Sequence, residues 1–224
     1  MSIKDINNNP TWLRTWLDNT KAAEEQYYKD HIDSLIPLFM KELRDLGFEF
    51  EISSQAVGFI PKHKKVILPI AIKYYQAAKE LGQSDEQNYF MEFLRIKGLD
   101  DVIPMLLEDY YSEKTKDLTR WFISDCIYKI RSKKFVKEYL DIVSSSRFGI
   151  NRQMIVLLLG KLKEESAIPT LINLLEDEEV RLHAICALGE FKREEFRCYF
   201  ERFQDSTHPG WRKYAKSAIK KLNG

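Results

Sequence analysis

Apolar residues along this chain recur with the roughly 3.6-residue period of helices. Four segments show it most plainly: RWFISDCIYKI from Arg120, RQMIVLLLGKL from Arg152, RLHAICALGEF from Arg181 and RKYAKSAIKKL from Arg212. With the arginine counted as zero, positions +3, +4, +6 and +7 are mostly apolar and belong to a core. Positions +1, +5 and +9 are left to face outwards. The arginines stand 32, 29 and 31 residues apart, so one amphipathic helix is written four times. A proline marker keeps the same beat. Pro37, Pro104 and Pro169 each sit among apolar residues at a predicted helix start, where a missing N–H costs nothing. Pro69 reads as a looser fourth, and the intervals are 32, 35 and 65 residues.

A period of about 30 residues holds two short helices, and neither can bury its apolar face alone. Stacking of neighbouring units does so. The predicted pairs cover 66–98, broken near Gly82, then 99–134, 135–166, 167–194 and 195–224. Asp30 to Gly47 reads as one helix closed by Gly47. Residues 48–65 are expected to be an irregular loop with a brief helical turn, although Phe48, Phe50 and Ile52 alternate as a short strand would. Before these, Asn9 suits an N-cap and Pro10 a first helical position. Trp12, Leu13, Trp16, Leu17 and Tyr27 then share one face of a helix that shields the first repeat. The domain reading is a capping helix over residues 1–29 and a repeat array over 30–224, together one domain.

Composition narrows the class. With 9 Gly and 7 Pro the chain is poor in the turn residues a barrel or sandwich needs. Three cysteines are too few for a disulfide framework. The longest apolar run, Val66 to Ile72, is far short of the ~20 residues of a membrane span. The first ten residues are polar and carry no apolar leader region. A cytoplasmic location is expected.

The segment AIPTLINLLEDEEVRLHAICALGEF, Ala167 to Phe191, resembles the HEAT-repeat family, in its short phycobilisome-lyase-type form. The likeness is good over 99–224, weaker over 31–98 and absent before that, and it is shared with stand-alone bacterial repeat proteins. The resemblance implies an all-α fold, a right-handed α-solenoid of about five helix pairs with an N-terminal capping helix. It also implies that each arginine opens the second helix of its pair near an acid in the preceding loop. Asp117, Asp177 and Asp205 fill that place before Arg120, Arg181 and Arg212. The series is expected to tie neighbouring repeats together. Arg152 follows Ser144-Ser145-Ser146-Arg147 with no acid at hand, and is expected to be the exception.

Candidate chemistry is thin. His183 and Cys186 are one helical turn apart, but a zinc site wants three or four ligands and no C-x-x-C or H-E-x-x-H segment occurs. Deoxyhypusine hydroxylase, an iron enzyme of similar repeats, depends on His–Glu dyads, and none of His31, His63, His183 and His208 is followed by Glu. Phosphate-binding glycine loops and a G-x-S-x-G elbow are missing. No residue singles out a chromophore site of the phycobilin-lyase kind. No catalytic residue, cofactor or metal ligand is assigned.

The outward rows carry the functional expectation. Row +1 holds Trp121, Gln153, Leu182 and Lys213; row +5 holds Asp125, Leu157, Cys186 and Ser217; row +9 holds Lys129, Lys161, Glu190 and Lys221. Exposed apolar residues rimmed by charge mark partner sites, and Trp is enriched at hot spots. The expected partner-binding set is Trp121, Asp125, Arg152, Gln153, Leu157, Leu182, Cys186 and Lys213, on a concave face. The competing expectation is that tight curling or the N-terminal helix covers them. From Thr207 onward five basic residues and no acid occur, which suits a solvated end helix with cations near its C-terminus. DNA-alkylation-repair proteins hold nucleic acid on similar repeats. Here the net charge is −1 before Leu99 and +2 from there on, so no basic channel runs along the array. The expected function is a non-enzymatic protein-binding module, monomeric, an adaptor or an immunity-type inhibitor. A nucleic-acid-binding protein and a lyase-like enzyme are the alternatives.

Overall fold

A computed structural model describes residues 11–222, all helix and connecting loop, with no strand among the described residues. The expected N-cap Asn9, Pro10 and the ring of Trp12 lie outside the described residues. The chain folds as two compact units, residues 1–94 and 95–224.

In the first unit, helices α1 (Thr11–Asp30), α2 (Ile36–Asp45), α3 (Ile60–Glu80) and α4 (Ser84–Met91) surround an aromatic core. Phe39 is fully buried and meets the rings of Tyr74, Phe90 and Phe93 edge-on. Helix α2 ends as Gly47 suggested. With φ +87 at Gly47, the Phe48 N–H reaches Leu43 O at 3.1 Å and the Gly47 N–H reaches Arg44 O at 2.8 Å. Gly82, φ +71, closes α3 in the same way. The 48–65 segment is a 3₁₀ stretch over Ser53–Phe59 and then the start of α3, not a strand. Helix α3 begins at Ile60 with Pro61 in its first turn, so Pro69 stands inside the helix instead of opening it. Pro69 has no N–H for the Lys65 carbonyl, and a separate break in the helix falls six residues earlier, at His63 (φ −125, ψ 23). On α1, Leu17 is buried while Trp16 stays 51% exposed, so only part of the expected apolar face is covered.

The second unit carries the four predicted pairs. First helices are α5 (Ile103–Tyr111), α7 (Val136–Ser144), α9 (Ile168–Asn173) and α11 (Arg197–Glu201). Second helices are α6 (Asp117–Ile130), α8 (Gln153–Leu162), α10 (Arg181–Gly189) and α12 (Pro209–Leu222). Each second helix packs on its own first helix and on the second helix of the next pair, so α6, α8, α10 and α12 form one layer. Pro104 and Pro169 stand in the first turns of α5 and α9, as the marker predicted. The core rows hold as well. Ile155, Val156, Leu158 and Leu159 of α8 and Ala184, Ile185, Ala187 and Leu188 of α10 are all completely buried.

Two backbone features follow from this stacking. A Cβ on Gly160 would lie 2.4 Å from Ala187 Cα and 2.6 Å from Ala187 O, so α8 and α10 touch backbone to backbone. The helix ends are also unusual. Arg131, Lys163 and Lys192, each eleven residues after its repeat's arginine, stop α6, α8 and the α10 segment in the left-handed region at φ 59, 51 and 55. Glycine is the usual occupant there, and a side chain costs about 1 kcal/mol.

Candidate functional site

The arginine series is built into the fold of each repeat. The last carbonyls of a helix have no intrahelical donor. Each arginine, at the start of a second helix, reaches back to carbonyls at the end of the first helix or in the turn that follows it. Arg120 donates from Nε to Tyr110 O (2.9 Å) and from its terminal nitrogen to Ser112 O (3.0 Å). Arg181 donates to Leu175 O (2.6 Å) and Glu176 O (3.1 Å), and Arg212 to Ser206 O (2.6 Å). Their hydrogen bonds stay within their own repeat, and the expected tie to the next repeat is made by ring contacts, Arg120 over Phe148 at 5.9 Å and Arg181 over Phe203 at 5.7 Å. Arg120 takes Asp117 as its acid at 2.7 Å, as expected, whereas Arg181 takes Glu178 at 3.4 Å.

Arg152 overturns its expectation. Only 1% of it is exposed, so it cannot meet a partner. It donates to Gly149 O (2.9 Å) and Val143 O (3.2 Å), and its other terminal nitrogen reaches Asp177 at 2.7 Å and Glu179 at 3.3 Å. The acid missing from its own loop is supplied by the next repeat. Asn151 makes a similar link, 3.2 Å from Asp117 of the preceding one. Asp125 leaves the outward set too. It is 5% exposed and ion-paired with Arg95. A carboxylate in that row is sheltered because a loop cation covers it, which the row's period could not show.

The rest of the set stays at the surface. Trp121, Gln153, Leu157, Leu182 and Cys186 are half-buried, while Lys213 is exposed. All six lie on the second-helix layer of one unit. Gln153 donates 2.8 Å to Glu179 O. Leu182 packs on the backbone of α12, where a Cβ on Gly210 would come within 2.9 Å of its Cδ1. Next to it the Arg181 guanidinium sits 4.2 Å from the centre of the Trp211 ring, which also stacks on His208 at 4.4 Å. Cys186 borders a shallow groove of about 180 Å³ between α10 and α12, with Glu190, Tyr214, Ser217 and Lys221. The apolar row is therefore neither fully free nor sealed.

Titration here is set by burial. Burial pushes the Cys186 thiol up to about 11 and His183 down to about 4, so both are neutral near pH 7. Burial acts to raise Glu190, but the hydrogen bond from Lys221 and the charges of Lys221 and Lys161 hold it below the ordinary carboxylate range. Lys161 and Lys221 approach Glu190 at 3.6 and 3.3 Å, joining three successive second helices. No three His, Cys, Asp or Glu among the described residues are grouped to hold a metal ion. In the first unit, Leu13, Trp16, Leu17 and Ile52 line an apolar groove of about 320 Å³ that the sequence reading did not single out. The half-exposed Trp16 beside the buried Leu17 is the signal that points there.

Residues 136–220 match the family model for HEAT repeats. No curated protein and no solved structure matches the chain.

Proposed function

We propose, for a chain that carries HEAT repeats over residues 136–220, a non-enzymatic role as a protein-interaction module. HEAT repeats commonly mediate protein–protein interaction. The observation that carries the reading is the outward row Trp121, Leu157, Leu182 and Cys186. These apolar side chains keep part of their surface in water while the neighbouring core rows are wholly buried. Gln153 and Lys213 supply the polar margin of the same surface. Arg152 and Asp125 support it from beneath. An adaptor and an immunity-type inhibitor use such a surface alike. The N-terminal helix acts as a cap and the location is cytoplasmic in this reading.

Affinity capture from native lysate with mass spectrometry tests it, comparing wild type with Trp121→Ala and Leu157→Asp. A partner taken by wild type and lost by folded variants supports the role. Identical captures by all three, or a salt-sensitive shift of duplex DNA, would replace it.

A further inference from the structure

We propose that the partner offers an acidic amphipathic helix, received by a ladder of cations at the C-terminal ends of the second helices. This deepens the interaction reading and rests on it. The ladder is a K-x-[K/R] pattern at the ends of two second helices, with one ladder lysine at each of the other two. Lys129 and Arg131 close α6, Lys161 and Lys163 close α8, Lys192 follows α10 and Lys221 lies in the last turn of α12. Against these six cations the same positions hold one acid, Glu190, already shared by Lys161 and Lys221. Lys129, Arg131, Lys163 and Lys192 have no acidic partner among the described residues. The apolar row of Trp121, Leu157 and Leu182 runs along the same layer of helices.

Helix dipoles favour cations at these ends, which accounts for a basic last turn. They do not account for the left-handed backbone. At three equivalent positions a long cation occupies a site where glycine costs less, at φ 59, 51 and 55. Backbone strain repeated at one edge, always carrying positive charge, points to something that edge holds.

Spacing selects the partner. Packed helices lie about 8–10 Å apart, so successive rungs are offset by about that distance. Carboxylates seven residues apart on an α-helix are spaced by about 10.5 Å. Leucines beside them would fall on the apolar row. Backbone phosphates of a single nucleic-acid strand come more closely than one per rung, and Tyr128, the ring beside the first rung, already carries the Lys129 and Arg131 cations 5.7 and 5.8 Å from its centre.

The test uses the full chain and a helix-forming 21-residue peptide, with leucines on one face and glutamates flanking them at seven-residue intervals. A lysine-for-glutamate peptide and a 20-nucleotide single strand are the controls. Fluorescence anisotropy should show saturable, salt-weakened binding of the acidic peptide and none of the basic one. The variant Arg131→Gly/Lys163→Gly/Lys192→Gly removes the charges and relieves the backbone, so it folds at least as well as wild type by circular dichroism. Its affinity for the acidic peptide should fall about tenfold, as three exposed pairs allow. Unchanged affinity in that variant, no binding of the acidic peptide, or tighter binding of the oligonucleotide overturns the proposal. If the variant still captures the partner that Trp121→Ala loses, the acidic helix is wrong and the interaction reading stands.

Discussion

Gly160 to Ala adds one methyl group at the tightest point between α8 and α10. The new Cβ would lie 2.4 Å from Ala187 Cα, 2.6 Å from Ala187 O and 2.7 Å from Ala187 Cβ. All three are backbone or Cβ atoms, so no rotamer change makes room. Ordinary contact begins near 3.4 Å, so the helices must separate by about 1 Å along a fully packed seam. Overpacking of this kind costs about 1–3 kcal/mol and sometimes more. Alanine returns about 1 kcal/mol of helix propensity. Because the obstacle is rigid and the separation is shared by the flanking Leu159 and Leu188 packing, a net loss of about 2 kcal/mol is expected. Gly189 supplies the control. It occupies the equivalent position in the next repeat, but its Cβ would meet Ala218 Cβ at 3.2 Å and Ala218 Cα at an ordinary 3.7 Å. There a shift of a few tenths of an ångström suffices, and propensity should offset the cost. Urea unfolding followed by far-UV circular dichroism compares the two substitutions against the same background. If Gly160→Ala is as stable as Gly189→Ala, the backbone contact between α8 and α10 is not as tight as described.

Other outcomes follow from the same geometry. Arg152→Met should cost about 2–4 kcal/mol in urea unfolding, since Gly149 O and Val143 O lose their donor and Asp177 its counter-charge; a neutral result would remove its structural role. Lys163→Gly should stabilise by about 0.5–1 kcal/mol by relieving the left-handed residue, and a loss of stability would contradict it. Stability should fall as pH drops from about 6.5 towards 4, because the unfolded chain protonates His183 before the folded one does. Partial exposure of the ring limits that contribution to roughly 1–2 kcal/mol, and His183→Gln should flatten this part of the pH profile.

The period of the apolar residues was enough to place the second unit's helices, their breaks and their core. A side chain at +3, +4, +6 or +7 of a helix points at a fixed angle, and that angle does not depend on what lies beyond. The first unit was less legible. Its long α3 absorbs Pro69, because a proline signals a helix start only where a first turn is present to receive it. The sequence laid the candidate surface out as rows, and two residues of the set are buried. Asp125 sits in an outward row but is covered by Arg95, thirty residues earlier in the chain. Arg152 lacks an acid nearby in sequence and finds Asp177 across the repeat boundary.

The sequence by itself determined the repeat, its phase and the type of every second helix, because these rest on local propensity and on periodicities that each segment carries alone. Only the tertiary structure decided which acid each arginine reaches, which outward positions are covered, and where two backbones touch at Gly160 and Ala187. Those outcomes depend on how one repeat is set against the next, and that geometry comes from all the packed side chains acting together.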